Sequence, residues 1–195
     1  VNWCQGLYMY YAPSGSSVTN NLIHHISPHC GTSYETYTYG MYVYRCYNTV
    51  TVANNVVDKL DGDNARNYYY TNMYGMYLYN GGSSTYQYNA HSNIVTNMGD
   101  TYTMPYYYGI YAYNNPAGYN DIWNIQDWAY QGSAEPATNL HVDPQFVENE
   151  TEPYDYHLES GSPCEGTGFG GEDMGCWGNL AAGEVVGLLT PEWSW

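Results

Sequence analysis

GMYVY at Gly40–Tyr44 decides the fold, because it is one of four copies: GLYMY at Gly6–Tyr10, GMYLY at Gly75–Tyr79 and GIYAY at Gly109–Tyr113 are the others. The four glycines stand 34, 35 and 34 residues apart, a period that marks a repeat architecture. Within each copy an aliphatic position alternates with tyrosine. Leu7, Met41, Met76 and Ile110 precede Tyr8, Tyr42, Tyr77 and Tyr111; Met9, Val43, Leu78 and Ala112 precede Tyr10, Tyr44, Tyr79 and Tyr113. Alternation with period two predicts a strand with one buried face, here aliphatic side in and tyrosine side out.

Each pentapeptide is followed by turn-forming residues, such as Pro13–Ser17 and Asn80–Ser84, and then by a second apolar stretch opened by asparagine. These stretches are Asn20–Ile23, Asn54–Val57 and Asn93–Val95, with Asn120–Trp123 a less regular fourth. A third, Tyr-bearing stretch leads into the next glycine. Three short strands per ~34 residues predict an all-β, right-handed parallel β-helix, a solenoid of about four to six coils. In such a stack equivalent residues lie about 4.8 Å apart, so the tyrosines form ladders: Tyr8/42/77/111, Tyr10/44/79/113 and Tyr39/74/108.

The composition divides the chain. Residues 1–120 hold 24 of the 27 tyrosines, five acids and all three bases, Arg45, Lys59 and Arg66; residues 121–195 hold the other 14 acids and no base. We therefore expect Tyr-rich coils over 1–120, final coils with an acidic, loop-rich closing segment over 121–177, and an apolar tail over 178–195. A formal net charge of −16 excludes phosphate-mediated binding of nucleic acid. No apolar run approaches the ~20 residues that span a bilayer. The chain opens at Val1 within the repeat, which reads as a processed product. The five cysteines point to an oxidising compartment, with Cys164–Cys176 and Cys30–Cys46 as candidate disulfides and Cys4 as the odd residue, either buried or linking chains. Asn149-Glu150-Thr151 is a glycosylation sequon.

The coil pattern, G-I/M-Y-x-Y followed by Asn-Asn and two aliphatics, resembles that of secreted right-handed parallel β-helix proteins of the pectate-lyase-like superfamily. The closing motifs resemble the last coils of such proteins: NDIWN at Asn120–Asn124, DPQFV at Asp143–Val147, YDYHL at Tyr154–Leu158, SGSPC at Ser160–Cys164 and DMGCW at Asp173–Trp177. The resemblance implies fold more than activity, since one fold hosts lyases, glycosidases, adhesins and structural modules. Larger members carry an N-terminal cap and further coils; here the first coil stands without visible cover, and an open strand edge invites strand addition.

Lyases of this superfamily need a basic residue and acidic Ca²⁺ ligands. Asp58, Asp61 and Asp63 are the candidate ligands for a structural Ca²⁺, without the spacing of an EF-hand. Polygalacturonase-like paired aspartates and their N-T-D, G-H-G and R-x-K motifs do not occur. The stretch His24-His25-Ile-Ser-Pro-His29-Cys30 supplies metal-ligand types, with His25 and His29 as candidates, although His24 and His25 are expected on opposite faces of a strand. No catalytic residue is assigned. The expected function is that of an extracellular structural subunit that stacks head to tail with other copies of itself into a filament. Its contact candidates are Tyr8, Tyr10, Tyr42, Tyr44, Tyr77, Tyr79, Tyr111 and Tyr113, with Trp193 and Trp195 in a tail that covers the lower coil or the next subunit. The alternative is a domain that binds or degrades neutral glycans, clipped from a larger secreted enzyme.

Overall fold

Tyr, Val, Thr and Ile fit a pleated surface, and every described element is a strand. A computed structural model describes residues 2–27, 35–61, 70–80, 86–99, 105–177 and 187–189, and no helix occurs among them. The first repeat supplies β1 (Asn2–Tyr10), β2 (Ser17–Thr19) and β3 (Asn21–Ile26); the second, β4 (Glu35–Tyr44), β5 (Asn48–Ala53) and β6 (Val56–Leu60). The third supplies β7 (Tyr70–Tyr79), β8 (Tyr86–His91) and β9 (Ile94–Met98). Then follow β10 (Pro105–Tyr113), β11 (Asp121–Ile125), β12 (Trp128–Gln131), β13 (Phe146–Glu148), β14 (Asp155–Leu158) and β15 (Gly187–Leu189).

Three parallel sheets result. The first has the order β1-β4-β7-β10-β12, the second β2-β5-β8, and the third β11-β9-β6-β3-β15. Among the described residues only β13 and β14 pair antiparallel. Through the first three repeats the chain visits the three sheets in turn, and the register follows the sequence repeat: Tyr8 pairs with Tyr42, Tyr42 with Tyr77, and Tyr77 with Tyr111.

The core lies between the sheets. Met41, Met76, Leu78 and Ile110 of the first sheet meet Val50 and Val52 of the second and Ile23, Val57 and Val95 of the third. The glycine that opens each pentapeptide is set by a close approach. A Cβ on Gly40 would lie 2.6 Å from the carbonyl oxygen of Gly75, and one on Gly75 would lie 2.7 Å from that of Gly109. The same hypothetical atoms meet the side chains of Val57 and Val95 across the core.

A column of asparagines runs through the corner before the third sheet. The Oδ1 of Asn55 accepts from both the backbone N and the Nδ2 of Asn21; Asn93 does the same for Asn55, and Asn120 for Asn93, at 2.8–3.0 Å. Asn139 Oδ1 continues the column by accepting from Asn120 N. The freed Nδ2 protons reach carbonyls of Val18, Val52 and Ala90. Asn55, Asn93 and Asn120 are fully buried, so this bonding is what makes a polar residue tolerable there.

Over the first three repeats the third sheet opens apolar on both faces, which explains why two aliphatics follow Asn21, Asn55 and Asn93. Ile23, Val57 and Val95 face the core. Leu22, Val56 and Ile94 face outward, under Phe146, Tyr156, Cys164, Met174 and Cys176 of the closing segment. That segment folds back across the sheet rather than simply ending the stack. Leu140 bridges Asp121 beside the fourth repeat, Gly175 N donates to Ser92 O beside the third, and Asn54 Nδ2 donates to Asp173 O beside the second. β15 pairs with β3, the third-sheet strand of the first repeat. The tail was expected to cover the lower coil or the next subunit; its described part instead covers an edge of the first repeat in its own chain. Trp193 and Trp195 lie outside the described residues.

No disulfide occurs among the described residues, which corrects both expected pairs. Cys46, Cys164 and Cys176 are buried free thiols, and Cys30 lies outside the described residues. Burial raises all three thiols above their usual range, Cys176 to about 12, and the Asp121 carboxylate adds to the effect at Cys164, which hydrogen-bonds to it. The Gly-rich run between Cys164 and Cys176 is spent on its own turns, closed by Gly168 N to Glu172 O and Met174 N to Cys164 O.

Candidate functional site

Register alone places the tyrosines above one another, and their rings use that placement. In the first column Tyr8, Tyr42, Tyr77 and Tyr111 stack with centroids 5.3, 5.2 and 5.0 Å apart. In the second, Tyr10, Tyr44, Tyr79 and Tyr113 stack at 5.2, 5.1 and 4.9 Å. The third, Tyr39, Tyr74 and Tyr108, stacks at 5.2 and 4.8 Å and is closed by Trp128 at 5.0 Å. The third column meets the first edge-on, as in Tyr39–Tyr42 at 4.7 Å and Tyr74–Tyr77 at 5.1 Å. Offset and edge-on pairs suit the ring quadrupole and contribute about 0.5–1.5 kcal/mol each beyond burial.

The tyrosines line the outer side as expected, yet they are not uniformly solvated. Tyr42 is only 7% exposed, whereas Tyr8 directly beside it is 52% exposed and Tyr10 is 46% exposed. Rings above and below shelter a tyrosine within a column; Tyr8 has a described stacking partner on one side of its column. Desolvation correspondingly pushes the phenols of Tyr39, Tyr42, Tyr74 and Tyr77 well above their usual range, and neighbouring tyrosines add to the shift.

At this first-repeat end, β1 and β2 each pair on one side only among the described residues. Leu7 and Met9 occupy positions that are wholly buried one repeat further on, but here they are only partly covered. With Val18, Ser17 and Asn21 they line an open hollow of about 480 Å³. The end therefore combines strand edges that lack a second partner strand among the described residues with apolar side chains.

The remaining expected site residues fall elsewhere. Asp58 is buried on the outer flank of the third sheet, accepting from Tyr156 hydroxyl at 2.7 Å and from Asn97 Nδ2 at 2.8 Å. Both of its oxygens are thus committed to protein donors. Asp61 follows at the end of β6, half-buried, and Asp63 lies outside the described residues, as does His29. His24 and His25 do not point to opposite faces: their Nδ1 atoms are 2.8 Å apart. His25 has a φ of 55°, and that left-handed residue breaks the strand alternation. Both rings pack on Tyr154 of the closing segment, and burial lowers both imidazoles below their usual range. Among the described residues no three His, Cys, Asp or Glu side chains gather as a metal set.

Sequence reasoning missed the polar contacts under the closing segment. Ser92 Oγ donates to Glu172 Oε1 at 2.6 Å and accepts from Phe169 N at 2.9 Å, with His91 Nδ1 at 3.1 Å. Asp121 occupies the outward column of Leu22, Val56 and Ile94, and accepts from Val142 N. An acid following Asn120, where earlier repeats place an aliphatic, was the available signal. No helix is long and apolar enough to cross a membrane among the described residues. Comparison with protein-family models, with curated proteins and with solved structures finds no match to this chain.

Proposed function

We propose that this chain is a right-handed parallel β-helix that serves as an extracellular structural subunit, joining other copies of itself head to tail through its first-repeat edge. The β-helix reading is supported by a chain that visits three parallel sheets in turn, with an asparagine column at one corner. The coil and closing motifs support placing it beside the pectate-lyase-like superfamily. Scarcity of lysine and arginine, three residues in all, suits a fibre exposed to trypsin-like proteases. Cysteine usage no longer supports an extracellular location, because Cys46, Cys164 and Cys176 are free thiols.

One observation carries the assembly reading: Tyr8 is half exposed while its column neighbour Tyr42 is buried. A further strand laid on β1 would cover Tyr8 as Tyr42 is covered and Tyr10 as the half-buried Tyr44 is, and would satisfy the β1 backbone. A head-to-tail contact that does not close generates an open filament. The third-sheet edge is taken by β15, so docking uses the edges of the first two sheets. Electron microscopy and light scattering over rising concentration test this. Filaments with a subunit rise on the order of 20–30 Å are expected, and Tyr8→Lys combined with Tyr10→Lys should keep the protein monomeric. Wild-type protein that stays monodisperse and monomeric at high concentration would sink the proposal.

The neutral-glycan alternative draws less support from the same face. A sugar ring stacks on an aromatic face, and within the columns those faces cover one another at 4.8–5.3 Å.

A further inference from the structure

The corner that follows β1 sits on the corner that follows β4. Tyr11 and Arg45 both adopt left-handed backbone, with φ of 53° and 47°. The corners are fastened by Tyr11 N donating to Tyr44 O at 3.1 Å and Tyr47 N donating to Ala12 O at 2.9 Å. This geometry swings two rings out of the stacked columns. Tyr11 and Tyr47 are 37% and 45% exposed, and their centroids are 5.9 Å apart with planes tilted by only 30°. The Tyr10 ring also touches Tyr11, at 4.3 Å, but edge-on at 80°, and it is held by its own stack on Tyr44.

A cation completes the corner. Arg45 Nη1 donates to the Tyr11 hydroxyl at 3.2 Å, and the guanidinium lies 5.0 Å over the Tyr44 ring. Among the described residues the titratable groups facing Tyr11 are Arg45, Tyr10 and Tyr47. Arg45, and after it a hydrogen bond from Tyr10, hold the Tyr11 phenol below its usual value, while Tyr10 moves the other way. A phenol gives up an electron more readily as its proton becomes easier to remove. Tyr11 is thus set apart chemically from the sheltered phenols of the columns.

We propose that Tyr11 and Tyr47 form an oxidative cross-linking site, where a peroxide acting through a peroxidase, as one-electron oxidant, joins the two rings by a carbon–carbon bond. Each phenol loses one electron and its hydroxyl proton, giving a phenoxyl radical whose unpaired spin reaches the ring carbons ortho to oxygen. The two ortho carbons bond, and their two hydrogens shift as protons to the phenolic oxygens, restoring both aromatic rings. Hydrogen peroxide takes up the two electrons and two protons and leaves as two waters. The new bond clamps the first repeat to the second at their shared corner. The site rests on that corner alone and does not depend on head-to-tail assembly.

Dilute full-length protein treated with hydrogen peroxide and a haem peroxidase, then digested with chymotrypsin and mapped by mass spectrometry, provides the test. The expected product is a monomer lighter by two hydrogens, with its main cross-link between residues 11 and 47. Tyr11→Phe and Tyr47→Phe should each lower the dityrosine fluorescence yield several-fold. Arg45→Gln, which keeps both rings, should shift the pH profile of that yield upward. Links scattered among the column tyrosines, covalent dimers as the main product, or an undiminished yield in both phenylalanine variants would overturn the assignment.

Discussion

Asp58 shows how one carboxyl ties the closing segment to the sheet. It is fully buried, and burial raises its pKa to about 6 despite donors from Tyr156 and Asn97. Between the unfolded value of 3.8 and about 6, the native state binds more protons than the unfolded state. Its contribution to stability therefore falls as pH rises through that window. The loss is on the order of 2–3 kcal/mol by pH 7. Asp121 shifts in the same direction, also to about 6, again through burial. His24, His25 and His91 oppose this, since imidazoles held neutral by burial weaken the fold as pH falls below their unfolded values. A single variant separates the two effects. Asp58→Asn keeps the shape, and the Tyr156 hydroxyl can turn to accept from the new amide. Relative to wild type, the variant should gain about 2–3 kcal/mol between pH 4 and pH 7 in urea unfolding. Parallel pH profiles for the two proteins would show that Asp58 is not the group responsible.

At the scale of the strand, the recurring glycine shows what sequence can and cannot reveal. The period of Gly6, Gly40, Gly75 and Gly109 was plain, and so was the side of the sheet on which tyrosine lies. The reason for glycine was not, because it involves side chains of another sheet, Ile23, Val57, Val95 and Ile122, one on each level. The asparagine column was legible through Asn93 and then obscured. Its intervals change from 34 and 38 residues to 27 and 19 as the second-sheet strand drops out. The candidate contact face was legible as a tyrosine ladder, but the corner joining Tyr11, Arg45 and Tyr47 was not, since left-handed backbone at Tyr11 and Arg45 leaves no periodic signal. The glycine account is testable. Gly75→Ala places a methyl group against the Gly109 carbonyl, which the parallel ladder holds in place. A loss of about 1–3 kcal/mol is expected from overpacking. Ala replacing the exposed Gly161, around which a Cβ meets no atom within 4 Å, controls for glycine removal as such, though its positive φ adds strain of its own. Undiminished stability of Gly75→Ala would show that the core can part at this level.

For the whole molecule, the path of the acidic closing segment would limit how copies meet in the proposed assembly. It crosses the outer face of the third sheet, and the chain ends its described course in β15, beside β3. The first-repeat end is consequently uneven: the edges of β1 and β2 have no second partner among the described residues, whereas β3 has one. A sheet edge that already has its hydrogen bonds gains nothing from another strand, and such cover is how natural proteins limit edge-to-edge association. In the proposed assembly β15 would therefore act as a brake at the β3 edge, leaving its own short three-residue edge in place of that of β3. Leu188 pairs with Leu22 in the centre of this short strand, and proline there removes a donor and disfavours the pairing. If β15 restrains association, Leu188→Pro should move the monomer–multimer balance toward multimers in light scattering at concentrations where wild type is still largely monomeric. Adding Tyr8→Lys and Tyr10→Lys to the same chain should leave only association through the newly freed β3 edge. An unchanged balance in the single variant would mean that the third sheet takes no part at the interface, so that assembly is carried by the tyrosine-bearing first sheet and its neighbour alone.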